Sequence, residues 1–144
     1  MKKLTPIFFA LLLLFSCNNA PNNPESSRVS KSQNASLDSV VRFLLDASAK
    51  DFHDHQPPVP VSFRNVELRN LISANAENHY MLCGQFLARD KNEWTYFATI
   101  KTSGYEQWIG NQSLGYCQDA KAISYKISDL SSALKSRLDS LTTK

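Results

Sequence analysis

Apolar residues recur at helical spacing at Leu37, Val40, Val41, Leu44, Leu45 and Phe52, the one-sided stripe of an amphipathic helix. Ser36 stands where a cap would stand, and Asp38 in the first turn suits the positive end of the helix dipole. The spacing predicts a helix over 37–52. Pro57 then pushes Gln56 toward extended geometry, and Pro58 and Pro60 keep the helix from restarting. Beyond the prolines the period changes to two, the repeat of a strand. Val61 and Phe63 fall on one face, Val66 and Leu68 on the other. That slip of one residue at Arg64-Asn65 predicts a bulged strand over 61–71.

Ser73 to Asn78 is a polar turn, and 79–88 reads as a second strand. Tyr80, Leu82, Gly84, Phe86 and Ala88 share one of its faces; Met81, Cys83 and Leu87 share the other. Both faces are apolar, so this strand is expected at the centre of its sheet. Arg89 to Glu93 has the length and polarity of a hairpin connection. Residues 94–102 form a third strand, with Trp94, Tyr96, Ala98 and Ile100 opposite Phe97. The segment from Thr102 to Ala120 holds three of the chain's four glycines and reads as a loop with at most one helical turn. Ala122 to Ile127 reads as a short edge strand. Leu130, Leu134, Leu138 and Leu141 make a closing helical stripe that Ser128 would cap. The fold class is α+β: an N-terminal helix, an antiparallel meander of three to four strands and a C-terminal helix, with the helices on one face of the sheet.

Composition changes the picture mainly before residue 37. Asn18 to Ser36 is rich in Asn, Pro and Ser, and so poor in large apolar residues that it is expected to be a flexible tether. A single α+β domain over 37–144 remains. Sixteen basic residues face thirteen acidic ones, and two of the basic residues are Lys2 and Lys3 at the extreme N-terminus. The rest of the chain is therefore close to neutral. It has no basic run and no interleaving of aromatic and basic residues, the footprint that a nucleic-acid partner would require.

Lys2 and Lys3 precede an apolar run from Ile7 to Phe15, which is far shorter than the roughly 20 residues that span a bilayer. A basic start and a short apolar core are the pattern of a secretory signal peptide. The core ends in Leu14-Phe15-Ser16-Cys17. This resembles the lipobox of bacterial lipoprotein precursors, a resemblance confined to the first 17 residues. It implies that 1–16 is a signal peptide and that Cys17 becomes the lipidated first residue of a tether over 17–36, with several acyl chains giving a firm anchor. It also implies a place in the cell envelope. Asn18, standing where enterobacteria-like sorting reads an aspartate as an inner-membrane signal, points to the outer membrane.

With Cys17 lipidated, Cys83 and Cys117 remain as an even pair in an oxidising compartment. Either they form a disulfide or they are two separate buried thiols.

The most chemical-looking stretch is Asp51-Phe52-His53-Asp54-His55. In an extended segment His53 and His55 would face the same way and could share a metal, with His79, Asp51 or a distant carboxylate as a third ligand. In a helix they would point apart, and the stretch would be a polar helix exit. His79 and Cys83 are four apart on a strand, too far for an acid–base pair. Gly110 to Gly115 has one residue too many for a nucleophile elbow. No glycine loop for phosphate is present, and no cofactor is expected. Tyr105, Glu106, Gln107 and Trp108 are the candidate partner-binding residues: two aromatics with polar tips in a glycine-flanked loop, suited to a saccharide or protein partner. The alternative is that Trp108 folds back onto the core. The expected function is a non-enzymatic, lipid-anchored envelope binding or interaction module, with an inhibitor or immunity-type lipoprotein as its narrower form. A metal-binding protein or metal-dependent enzyme using His53 and His55 is the other class.

Overall fold

The computed structural model describes residues 24–55 and 59–143, with side chains from residue 36 onward. The expected leader, Cys17 and the start of the expected tether lie outside the described residues, as do Gln56 to Pro58. The elements run α1 (Pro24–Asp54), β1 (Pro60–Ile72), β2 (Asn78–Ala88), β3 (Trp94–Lys101), β4 (Tyr105–Ile109), α2 (Asn111–Asp119), β5 (Lys121–Ala122) and α3 (Leu130–Thr142). The strands form one antiparallel sheet in the order β4-β3-β2-β1-β5. The α+β class with helices at both ends is thus observed, and β2 is the central strand.

The apolar stripe of α1 and the leucines of α3 pack together on one sheet face. Val41, Leu44, Leu45, Phe52, Leu130, Leu134 and Leu138 meet Phe63, Val66, Leu68, Leu82, Phe86 and Phe97 in the main core. Phe52 is its centre, with ring centroids 5.2, 4.9 and 5.2 Å from those of Phe63, Phe86 and Phe97. The predicted bulge is present: the β1–β2 register shifts between Arg64 and Glu67, and Asn65 has φ of 53°. The extra residue returns Val66 to the face of Phe63, so both are buried in one core. The freed Val66 N–H donates to Ser131 Oγ of α3 at 3.1 Å. Gly84 lies under this bend, where an added Cβ would stand 2.8 Å from Val66 Cγ2 and 3.0 Å from Phe97 Cε1. A second register shift between Pro60 and Ser62 turns Val61 outward, 39% exposed, rather than beside Phe63.

The structure corrects several expectations. The segment after β3 is not a loop: it is edge strand β4 followed by the nine-residue α2. The two predicted helices share one face as expected, but a third helix was not foreseen. α2 lies on the opposite side from α1 and α3, over Met81, Cys83, Ala98 and Ile100, because Cys83–Cys117 is a disulfide with Cα atoms 5.9 Å apart. Arg69 completes the attachment, donating from Nη1 to the carbonyls of Cys117 at 2.8 Å and Ala120 at 3.1 Å, where a cation meets the negative end of the helix. β5 is two residues long, at Lys121–Ala122, and Ile123 adds only one bond, from its N–H to Leu68 O. Asp129, not Ser128, caps α3, accepting from Ser132 N at 3.0 Å. Ser36 is not a cap, because α1 begins at Pro24 and runs through the residues assigned by composition to the tether. Proline is well suited to a first helical position, and each residue added to an existing helix gains a backbone hydrogen bond.

Candidate functional site

The four residues singled out in the sequence lie on β4, and strand alternation divides them. Tyr105 and Gln107 point toward α1, while Glu106 and Trp108 point toward α2. Tyr105 Oη donates to Asp51 Oδ1 at 3.3 Å. Gln107 Oε1 accepts from Thr99 Oγ1, which also bonds Ser48 Oγ of α1 at 2.9 Å. Ser48 and Thr99 are fully buried. Trp108 Nε1 donates to Glu106 Oε2 at 3.2 Å, and the indole packs on Tyr116 of α2 with centroids 5.3 Å apart. Trp108 is partly buried against the smaller core under α2. These residues fasten both helices to the sheet and do not converge on one surface.

The histidine stretch meets β4 through Asp51. The helix runs to Asp54, so His53 and His55 take different partners. His53 Nδ1 lies 2.7 Å from Asp54 Oδ1, and His55 Nδ1 lies 3.2 Å from Asp51 Oδ1. The His53 contact, with the Lys50 ammonium beside it, lowers the Asp54 pKa to about 2. Asp51 is buried and accepts from both His55 and Tyr105. Burial, and then the Asp51 carboxylate, raises the Tyr105 phenol above its ordinary value. Two stretches that look separate in the sequence are therefore one contact between the end of α1 and β4. Among the described residues no three His, Cys, Asp or Glu side chains are grouped as metal ligands. His79 lies near Glu77, 4.0 Å away, and Cys83 is in the disulfide. Ser113, in the elbow-like stretch, is fully buried and donates from Oγ to Gly110 O at 2.6 Å.

On the α2 side of the sheet, that short helix leaves part of the face uncovered. Register brings Arg64, Gln85 and Tyr96 side by side across β1, β2 and β3. Ser62, Leu87 and Trp94 form the next row out. Arg64 Nε donates to Gln85 Oε1 at 2.8 Å, and its guanidinium lies 4.2 Å from the centroid of the Trp94 ring, a cation–π contact. Gln85 is buried beneath its neighbours, while Tyr96 is 42% exposed. Gln85 and Tyr96, with Arg64 standing beside them, border a cleft of about 390 Å³ under α2, walled also by Asn65, Glu67, Arg69, Leu114, Cys117 and Gln118. Glu67 is paired with Arg69, Oε2 to Nη2 at 2.7 Å.

Sequence reasoning missed this row, although its signal was within reach. Counting back from the hairpin at Arg89–Glu93 sets Leu87 opposite Trp94 and Gln85 opposite Tyr96. The bulge at Arg64-Asn65 then sets Arg64 beside Gln85. No family model, no curated protein and no solved structure matches the chain.

Proposed function

We propose that this chain is a non-enzymatic binding module of the cell envelope, anchored by lipid at Cys17 and sorted to the outer membrane by Asn18, and that it holds its partner on the sheet face bounded by α2. The observation that carries the proposal is the Arg64–Gln85–Tyr96 row, of which Gln85 and Tyr96 line a cleft whose far wall is fixed by a disulfide. A rigid scaffold presenting an exposed aromatic among polar groups is what a recognition site requires. The groups best suited to chemistry are occupied structurally: both described cysteines in one bond, Ser113 in a buried turn, and His53 and His55 on separate aspartates. The disulfide also agrees with an oxidising compartment.

The test has two arms. Cys17→Ala is expected to abolish acyl labelling and retention in the membrane fraction. Arg64→Ala combined with Tyr96→Ala is expected to abolish capture of envelope material by the folded protein, while Tyr105→Ala leaves capture intact. Full capture by the Arg64/Tyr96 variant overturns the assignment of the face.

A further inference from the structure

We infer that the occupant of this cleft is a saccharide, a chain of pyranose rings that is uncharged or carries isolated acid groups; the inference rests on the binding-module proposal and names its ligand. Arg64, Gln85 and Tyr96 stand on adjacent strands whose backbones run about 4.8 Å apart, and Arg64 Nε reaches Gln85 Oε1 at 2.8 Å. The amide of Gln85 and the phenol of Tyr96 each donate and accept, and Asn65 and Gln118 add two more amides at the cleft walls. A polyol presents hydroxyl groups that also both donate and accept, so such a lining satisfies it at every position. The exposed Tyr96 ring supplies an apolar face for the C–H side of a sugar ring.

Charge and shape argue against other occupants. Glu67 is neutralised by Arg69, which is itself committed to the carbonyls at the end of α2. Arg64 is held by an amide and an indole rather than by a carboxylate. The charged residues of the lining, Glu67 and Arg69, therefore cancel, and Arg64 beside the cleft adds one positive charge, too little for a polyanion, whose binding scales with the number of charges neutralised. An extended peptide would need a free strand edge, whereas at this point β1, β2 and β3 are bonded to one another and Tyr96 O accepts from Gly110 N. A folded protein needs roughly 800 Å² on each side. The cleft of about 390 Å³ lies instead in the size range of small-ligand sites.

The test uses the mature protein, ¹⁵N-labelled, and three probes: a neutral hexasaccharide, a uronate-containing hexasaccharide, and the whole glycan fraction released from the envelope. The expected result is saturable binding of at least one probe. Its amide shifts should centre on residues 64, 85 and 96, with affinity at least tenfold weaker in Tyr96→Ala and in Arg64→Ala. Tyr96→Phe, which keeps the ring, should retain more affinity than Tyr96→Ala. Ile72→Ala, at an exposed position outside the cleft, should bind as wild type. If no probe binds but an envelope protein is captured through the same residues, the saccharide inference fails and the binding module stands. If neither binds, both fail.

Discussion

Removing the cross-link that holds α2 is the perturbation with the most calculable outcome. In Cys83→Ala/Cys117→Ala, the unfolded chain loses a constraint joining residues separated by 34 positions. The chain-entropy relation for a loop of that size gives a loss of roughly 3.8 kcal/mol at 25 °C. For a domain of this size, each kcal/mol lowers Tm by about 4–8 °C, so a fall of about 15–30 °C is expected. Each alanine replaces a small side chain, so the cavity left behind is minor beside the entropic effect. The assay is urea unfolding followed by tryptophan fluorescence, with Trp108 on Tyr116 reporting the α2 contact directly. The midpoint should fall. Amide exchange should accelerate first in α2, whose remaining ties are the Arg69 bonds and the Trp108–Tyr116 contact. A loss below about 1 kcal/mol, with α2 exchange unchanged, would refute the reasoning, because the helix would then be held by packing alone.

Other expectations follow from single sites. Gly84→Ala would place a methyl group within 3.0 Å of both Val66 and Phe97, so a loss of about 1–3 kcal/mol in chemical denaturation is expected; unchanged stability would contradict the close approach at the bulge. Phe52→Ala removes a fully buried ring that touches three others, with a loss of about 3–5 kcal/mol expected. The Asp54 pKa is depressed from 3.8 to about 2, first by His53 and then by Lys50. The contribution of Asp54 to stability is therefore present above 3.8 and lost as pH falls toward 2. A carboxyl titration by NMR should show this, with the value in His53→Ala returning toward 3.8.

What could be read from the sequence was whatever rested on periodicity. The α1 stripe, the bulge at Arg64-Asn65, the two apolar faces of β2 and the hairpin after it all follow from burial repeating every 3.6 or 2 residues. What escaped was held by tertiary contacts. Tyr105 to Ile109 shows no clean alternation because both faces of β4 are partly covered, one by α1 and the other by α2. Asn111 to Asp119 is a weak helix former by composition, with a glycine inside it. It is helical here with the Cys117 bond, the Arg69 bonds and the Trp108 contact holding it to the sheet. Asp129 and Ser128 are both good caps, and only the position of the first turn decides between them. The candidate site was missed for a related reason: it is a row across three strands, visible only once their register is known. Of the conspicuous residues, Tyr105 and Trp108 tie β4 to α1 and α2, while His53 and His55 pair with aspartates of their own helix.

Whether a partner sits on the Tyr96 face is read most directly by site-specific photo-crosslinking in intact cells. A photoreactive phenylalanine analogue would replace Tyr96, 42% exposed beside the cleft, and in a second protein Ile127, 39% exposed and away from that row. The two positions are equally open to solvent, so chance encounter labels them alike. A discrete adduct is expected from position 96 and none from position 127. An adduct from 127 with none from 96 would contradict this expectation.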